Sequence, residues 1–229
     1  MRCAEFDVEL PSNFPYAEWK TLFQSSGTYP TNSPEFGDFV RSMQASAYQF
    51  RMASDAVTSM ISDWTVSQGR LNAEGKYRQQ RDLSLFVGAS ITSIESAGYA
   101  CYVTLTQKRS ARFPWADVKQ RKAYFYSALP ALLDQSYGPG LALCATFRAM
   151  TASSEWGALQ DLRNTFVHRT LPSRLHEGVA GPATPPNEMV KYASTWSHTE
   201  LRATEAQMNA KLDWVAAQLR SVFSGAMQL

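Results

Sequence analysis

Residues 34–67 read PEFGDFVRSMQASAYQFRMASDAVTSMISDWTVS, and their spacing decides the fold. Phe36, Met43, Phe50, Val57 and Trp64 recur at seven-residue intervals, and Val40, Ala47, Ser54 and Ile61 follow the first four of them by four positions. Apolar residues at such intervals share one stripe of an α-helix, which turns once in about 3.6 residues. Pro34 suits the first turn, where its missing N–H has no intrahelical bond to lose. At about 1.5 Å per residue the helix is roughly 45 Å long. A seam of that length needs an equally long partner.

The next apolar stripe supplies one. Residues 69–81 are polar, with Gly69, Gly75, Lys76, Arg78 and Arg81, and read as a connection. A second long helix is expected from about Asp82 to Gln107, with Leu83, Val87, Ile91, Ile94, Gly98, Cys101 and Leu105 as its stripe. Ala97, Gly98 and Ala100 are small and let a neighbouring helix approach closely. The two helices read as an antiparallel hairpin. The fold class is therefore all-α, a helical bundle built on this hairpin.

The flanks add shorter elements. Ala4, Phe6, Val8 and Leu10 alternate with Glu5, Asp7 and Glu9, the period of a short N-terminal strand without an obvious partner. A short helix fits residues 15–24, and Gly27, Pro30, Asn32, Ser33 and Pro34 mark a loop. Beyond the hairpin a third helix is expected over about 116–136, kinked or broken near Pro130. Gly138, Pro139 and Gly140 form a turn before a helix at about 141–151. The next helix, capped by Ser153 or Ser154 with Glu155 in its first turn, is expected to reach about Thr170. Pro172, Gly178, Gly181, Pro182, Pro185 and Pro186 make 171–187 a long loop. The last helix is expected from near Glu188, with a break around His198 and an apolar face of Leu201, Met208, Leu212, Val215, Leu219 and Val222. No internal repeat divides the chain, so residues 1–229 are read as a single domain.

Composition bounds the class. Apolar residues make up 45% and charged residues 18%, enough to bury a core, and the net charge of +2 does not select for or against nucleic acid. Three widely spaced cysteines, Cys3, Cys101 and Cys144, form neither a disulfide framework nor a zinc pattern, and read as reduced thiols. Glu5, Asp7 and Glu9 stand where a signal peptide would carry its apolar stretch. No run approaches the roughly 18 apolar residues of a membrane span. The expected compartment is the cytoplasm, with no membrane association.

One segment carries chemistry: Leu159-Gln160-Asp161-Leu162-Arg163-Asn164-Thr165-Phe166-Val167-His168-Arg169. On a helix, Trp156, Leu159, Leu162 and Phe166 fall in one arc of about 120°, the buried face. Asp161, Asn164 and His168 fall in a nearly opposite arc, and Arg163 lies at the edge. By spacing alone this is a solvated helix face. If it is more, it needs a second surface across from it.

The run Arg163-Asn164-x-x-x-His168 resembles the Arg-x(4–6)-His signature of the HEPN superfamily, in which a polar residue, often asparagine, follows the arginine. Asp161-Leu162 and Arg169 resemble the flanks, and the upstream helical hairpin fits the family's layout. The specific match covers about ten residues. The resemblance implies a metal-independent endoribonuclease without cofactor, usually a homodimer whose two motifs share a cleft, acting as a toxin or phage-defence effector held by an antitoxin or other regulatory protein. It implies attack of an RNA 2′-hydroxyl on the adjacent phosphate, leaving a 2′,3′-cyclic phosphate and a 5′-hydroxyl. His168 is suited to trade protons near neutral pH, and Arg163 to hold phosphate oxygens and stabilise developing charge. Asn164 would orient the imidazole or bind phosphate, with Asp161 and Glu95 as supporting candidates. A subgroup of toxins carries tyrosine two residues after the histidine; here Thr170 stands there, which puts regulation at that position in doubt.

Lys108, Arg109, Arg112, Lys119, Arg121 and Lys122 surround Phe113 and Trp115 with Asp117 as the one acid. This reads either as a solvated loop anchored by two aromatics or as an RNA groove, with Lys108, Arg109, Arg112 and Trp115, together with Arg169, as binding residues. His176 and His198 pair with no cysteine or carboxylate at metal-ligand spacing. No Gly-rich phosphate loop or Gly-x-Ser-x-Gly is present. The alternatives to the ribonuclease are a non-catalytic helical module binding protein, nucleotide or RNA, and a plain helical scaffold.

Overall fold

The structure, a computed structural model, describes residues 2–25, 30–67, 71–115, 129–138, 140–167 and 204–229, and the backbone of 173–175, 191–193 and 200–202. The architecture is all-α. The helices are α1 (Tyr16–Ser25), α2 (Pro34–Val66), α3 (Ala73–Lys108), α4 (Leu129–Tyr137), α5 (Ala142–Thr151), α6 (Ser154–Val167) and α7 (Glu205–Ala226). Among the described residues two small sheets accompany them, β1 (Arg2–Cys3) with β2 (Val8–Glu9), and β3 (Ser173–Leu175), β4 (Lys191–Ala193) and β5 (Glu200–Arg202) in that order, all antiparallel.

Helix α2 starts where its cap dictates: the Ser33 hydroxyl accepts the Phe36 N–H at 3.1 Å, and Pro34 follows it. Its buried row is Phe39, Met43, Ser46, Phe50, Ala53, Val57, Met60 and Trp64. These alternate in steps of four and three, the spacing of a coiled-coil seam. The series through Met43, Phe50, Val57 and Trp64 is the expected one. Its companion is Phe39, Ser46, Ala53 and Met60, whereas Val40, Ser54 and Ile61 are half-buried. Every residue of the expected α3 stripe, from Leu83 to Leu105, is buried.

The two long helices run antiparallel. In one compact unit Tyr99 Oη donates to Asp38 Oδ2 at 2.9 Å and Ser93 Oγ to the Ser46 carbonyl at 2.7 Å. In the other, Ser59 Oγ donates to Asp82 Oδ2 at 2.7 Å and Arg78 pairs with Asp63 at 3.0 Å. As the number on α2 rises, its partner's number on α3 falls.

The chain divides into two compact units: residues 1–50, 92–153 and 215–229, and residues 51–91 and 154–214. The first is built around aromatics. Trp19 stacks on Phe23 at 5.1 Å, Phe14 meets Phe50 and Phe223, and Trp19 Nε1 donates to the Met43 carbonyl at 2.9 Å. Helices α4 and α5 are joined at Gly138 and Gly140, whose φ values of +87° and +123° favour glycine. Asp134 of α4 accepts from Cys144 at 3.1 Å and from Arg148, both on α5. Gly225 of α7 lies so close to α5 that a Cβ there would stand 3.0 Å from Leu143 Cα. The second unit holds α6, the three-stranded sheet, and the parts of α2, α3 and α7 that fall within its residues.

Several boundaries differ from expectation. Helix α3 begins at Ala73, not near Asp82. Asn72 caps it by accepting the Gly75 N–H at 2.8 Å, and Glu74 lies in its first turn. The last helix begins at Glu205 rather than near Glu188, because 191–193 and 200–202 are strands. Thr204 Oγ1 accepts the Gln207 N–H at its start. The N-terminal strand is a hairpin in which Arg2 pairs with Glu9 and Cys3 with Val8, so the alternating residues 4–7 form its turn. The expected third helix is described only from Leu129; residues 116–128 lie outside the described residues. All three cysteines are free and buried. No described helix is long and apolar enough to cross a membrane.

Candidate functional site

Helix α6 positions the motif. Trp156, Leu159, Leu162 and Thr165 are its buried residues, a face rotated slightly from the expected one, since Phe166 is half-buried and Thr165 takes the inner place. A buried threonine needs its hydroxyl satisfied, and Thr165 Oγ1 donates to the Asp161 carbonyl at 2.8 Å. This register leaves Asn164 exposed, while Asp161, expected beside it on the polar face, is half-buried like Arg163. At the start of α6 the Glu155 carboxyl is held below its ordinary range by its own backbone amide and by the Ser154 hydroxyl.

His168 and Arg169 lie outside the described residues, as do His176 and His198. Asp161, Arg163 and Asn164 lie within the four positions 161–164 of one helix in the second unit. Glu95, half-buried on α3, belongs to the first unit, as do Lys108, Arg109, Arg112 and Trp115.

The basic segment at the end of α3 is ordered by its aromatics. Phe113 is fully buried and meets Tyr102 edge-to-face at 6.1 Å, while Tyr102 Oη donates to the Pro114 carbonyl at 2.6 Å. Phe113 is therefore a core anchor of this segment. Trp115 is half-buried, and Lys108, Arg109 and Arg112 are exposed. Arg109 is not a simple surface cation. Its Nη1 donates to the Ser136 carbonyl at 2.9 Å, and its guanidinium lies 4.3 Å from the Tyr137 ring centroid. Sequence reasoning missed Tyr137, which no local spacing links to Arg109.

Among the described residues no group of three or more His, Cys, Asp or Glu side chains could hold a metal ion. No protein-family model matches the chain, and no curated protein or solved structure is matched by it.

Proposed function

We propose that this chain is a metal-independent endoribonuclease of HEPN type, with Arg163, Asn164 and His168 as its catalytic residues. The observation that carries the reading is the register of α6. It buries Trp156, Leu159, Leu162 and Thr165 and leaves the Arg163–Asn164 edge of the motif accessible. Asparagine is a poor helix former in a helix interior, and Asn164 stands exposed within α6.

In this reading His168 takes the proton from an RNA 2′-hydroxyl as that oxygen attacks the adjacent phosphorus. The 5′-oxygen of the next nucleotide leaves and takes up a proton. Arg163 neutralises the charge gathering on the phosphate oxygens, and Asn164 orients the imidazole or binds phosphate. Asp161 supports the site from the same helix. A homodimer would supply the surface opposite the motif, and an antitoxin or other regulatory protein would restrain a cytoplasmic toxin or defence effector of this kind.

A second reading, a binding module that engages a partner without cutting RNA, draws on Val167. It is 66% exposed beside Asn164, an apolar side chain on an otherwise polar edge. Expression in a bacterial host separates the two. The ribonuclease arrests growth and yields RNA fragments with 2′,3′-cyclic phosphate ends, and His168→Ala relieves both effects. Arrest by the His168→Ala variant at wild-type strength would leave the binding module as the better reading.

A further inference from the structure

We propose that the corner formed by the end of α3 and the end of α4 is a binding site for single-stranded nucleic acid, in which a base stacks on the Arg109–Tyr137 pair and Lys108 and Arg112 hold the backbone. It rests on the ribonuclease reading only for the choice of RNA as the natural ligand.

The pair is a preformed platform. The Arg109 guanidinium lies 4.3 Å from the Tyr137 ring centroid, and Nη1 is tied to the Ser136 carbonyl at 2.9 Å. That bond fixes a side chain that would otherwise sample many rotamers. Arg109 is exposed while its guanidinium carbon lies over the Tyr137 ring, so part of the planar cation stays open to solvent. A nucleobase is flat, and bases of unpaired strands stack on arginine planes as they do on aromatic rings.

The backbone that carries the neighbouring charges is ordered as well. Lys108 ends α3, and Arg112 follows in a turn closed by the Arg112 and Phe113 amides donating to the Arg109 carbonyl, each at 2.9 Å. Buried Phe113 and the Tyr102–Pro114 hydrogen bond pin that turn to the core. Both cations are exposed. A lysine at a helix C-terminus is favourable for the helix alone. That account does not extend to Arg112, nor to the guanidinium of Arg109 over the Tyr137 ring. A duplex hides its base faces, so the site should prefer a single strand.

The test is fluorescence anisotropy with a short labelled oligouridylate, using the full chain carrying His168→Ala so that binding is read whether or not the protein cuts RNA. Lys108→Ala/Arg112→Ala should lower the slope of log affinity against log salt by about 1.4, the loss of two single-strand phosphate contacts. Arg109→Lys keeps the charge and removes the plane; it should weaken binding by roughly tenfold or more while leaving the slope unchanged. A slope unchanged in the double variant overturns the proposal, and so does equal affinity for a duplex of matched length. No binding at low salt also overturns it, even if the wild-type chain cleaves RNA.

Discussion

Ser93 donates its hydroxyl to the backbone carbonyl of Ser46 at 2.7 Å, a buried bond joining α3 to α2 across 47 residues of sequence. Small residues at this level let the two backbones come close enough for a side chain to reach a main-chain group. Ser93→Ala should destabilise the protein by about 0.5–1.5 kcal/mol, the net worth of such a bond. Ser93→Leu should cost more, about 1–3 kcal/mol, by overpacking the same contact. Urea unfolding measures both, and a Leu variant as stable as wild type would contradict the close approach.

Two helical glycines should respond oppositely to alanine. At Gly225 a Cβ would lie 3.0 Å from Leu143 Cα, and backbone cannot yield cheaply. At Gly157 nothing lies within 4 Å. Gly157→Ala should stabilise by roughly 0.5–1 kcal/mol through helix propensity, whereas Gly225→Ala should destabilise despite that same gain. Thermal melts of the two variants compare them directly.

The N-terminal hairpin makes stability fall in alkali. Burial, and then the 2.7 Å hydrogen bond that Tyr16 donates to Glu5, push the phenol up to about 12. The unfolded phenol ionises near 10. A raised pKa means that the folded state favours the protonated form. Its contribution is complete below about pH 10 and disappears as pH rises towards about 12. Tyr16→Phe should flatten that part of the stability profile. An unchanged decline would place its cause elsewhere.

Asp134 acts at the other end of the scale. Hydrogen bonds from Cys144 and then Arg148 hold its carboxyl below the usual range. A depressed pKa stabilises fully above the unfolded value near 3.9 and loses that effect as pH falls from there through the lower folded value. Acid unfolding of Asp134→Asn should therefore show a weaker pH dependence below about pH 4 than wild type.

The sequence announces some of this and conceals the rest for physical reasons. The α2 seam is legible because Met43, Phe50, Val57 and Trp64 repeat faithfully. Its companion row is harder to read, because Ser46 and Ala53 are buried without being strongly apolar. The first turns of α3 carry no stripe at all. Of residues 73–81 only Gly75 and Gln79 are buried, so the Asn72 cap and Glu74 in the first turn are the signals there. Three-residue strands such as Lys191–Ala193 are too short to show a period. At α6 the polar edge follows from helical rotation. Only Thr165, small and able to bond back to Asp161, displaces the expected inner residue. The Arg109–Tyr137 contact joins distant segments and leaves no local trace.

The most direct test of the ribonuclease reading is RNA cleavage by purified protein in the presence of a chelator, with wild type beside Arg163→Ala and His168→Ala. The account predicts that wild type cleaves to cyclic-phosphate ends, that each variant loses about 10²-fold or more of the rate, and that Arg163→Ala, on the accessible edge of α6, stays within about 0.5 kcal/mol of wild-type stability. Cleavage by His168→Ala at the wild-type rate, or no cleavage by the wild-type protein on several RNAs, would contradict it.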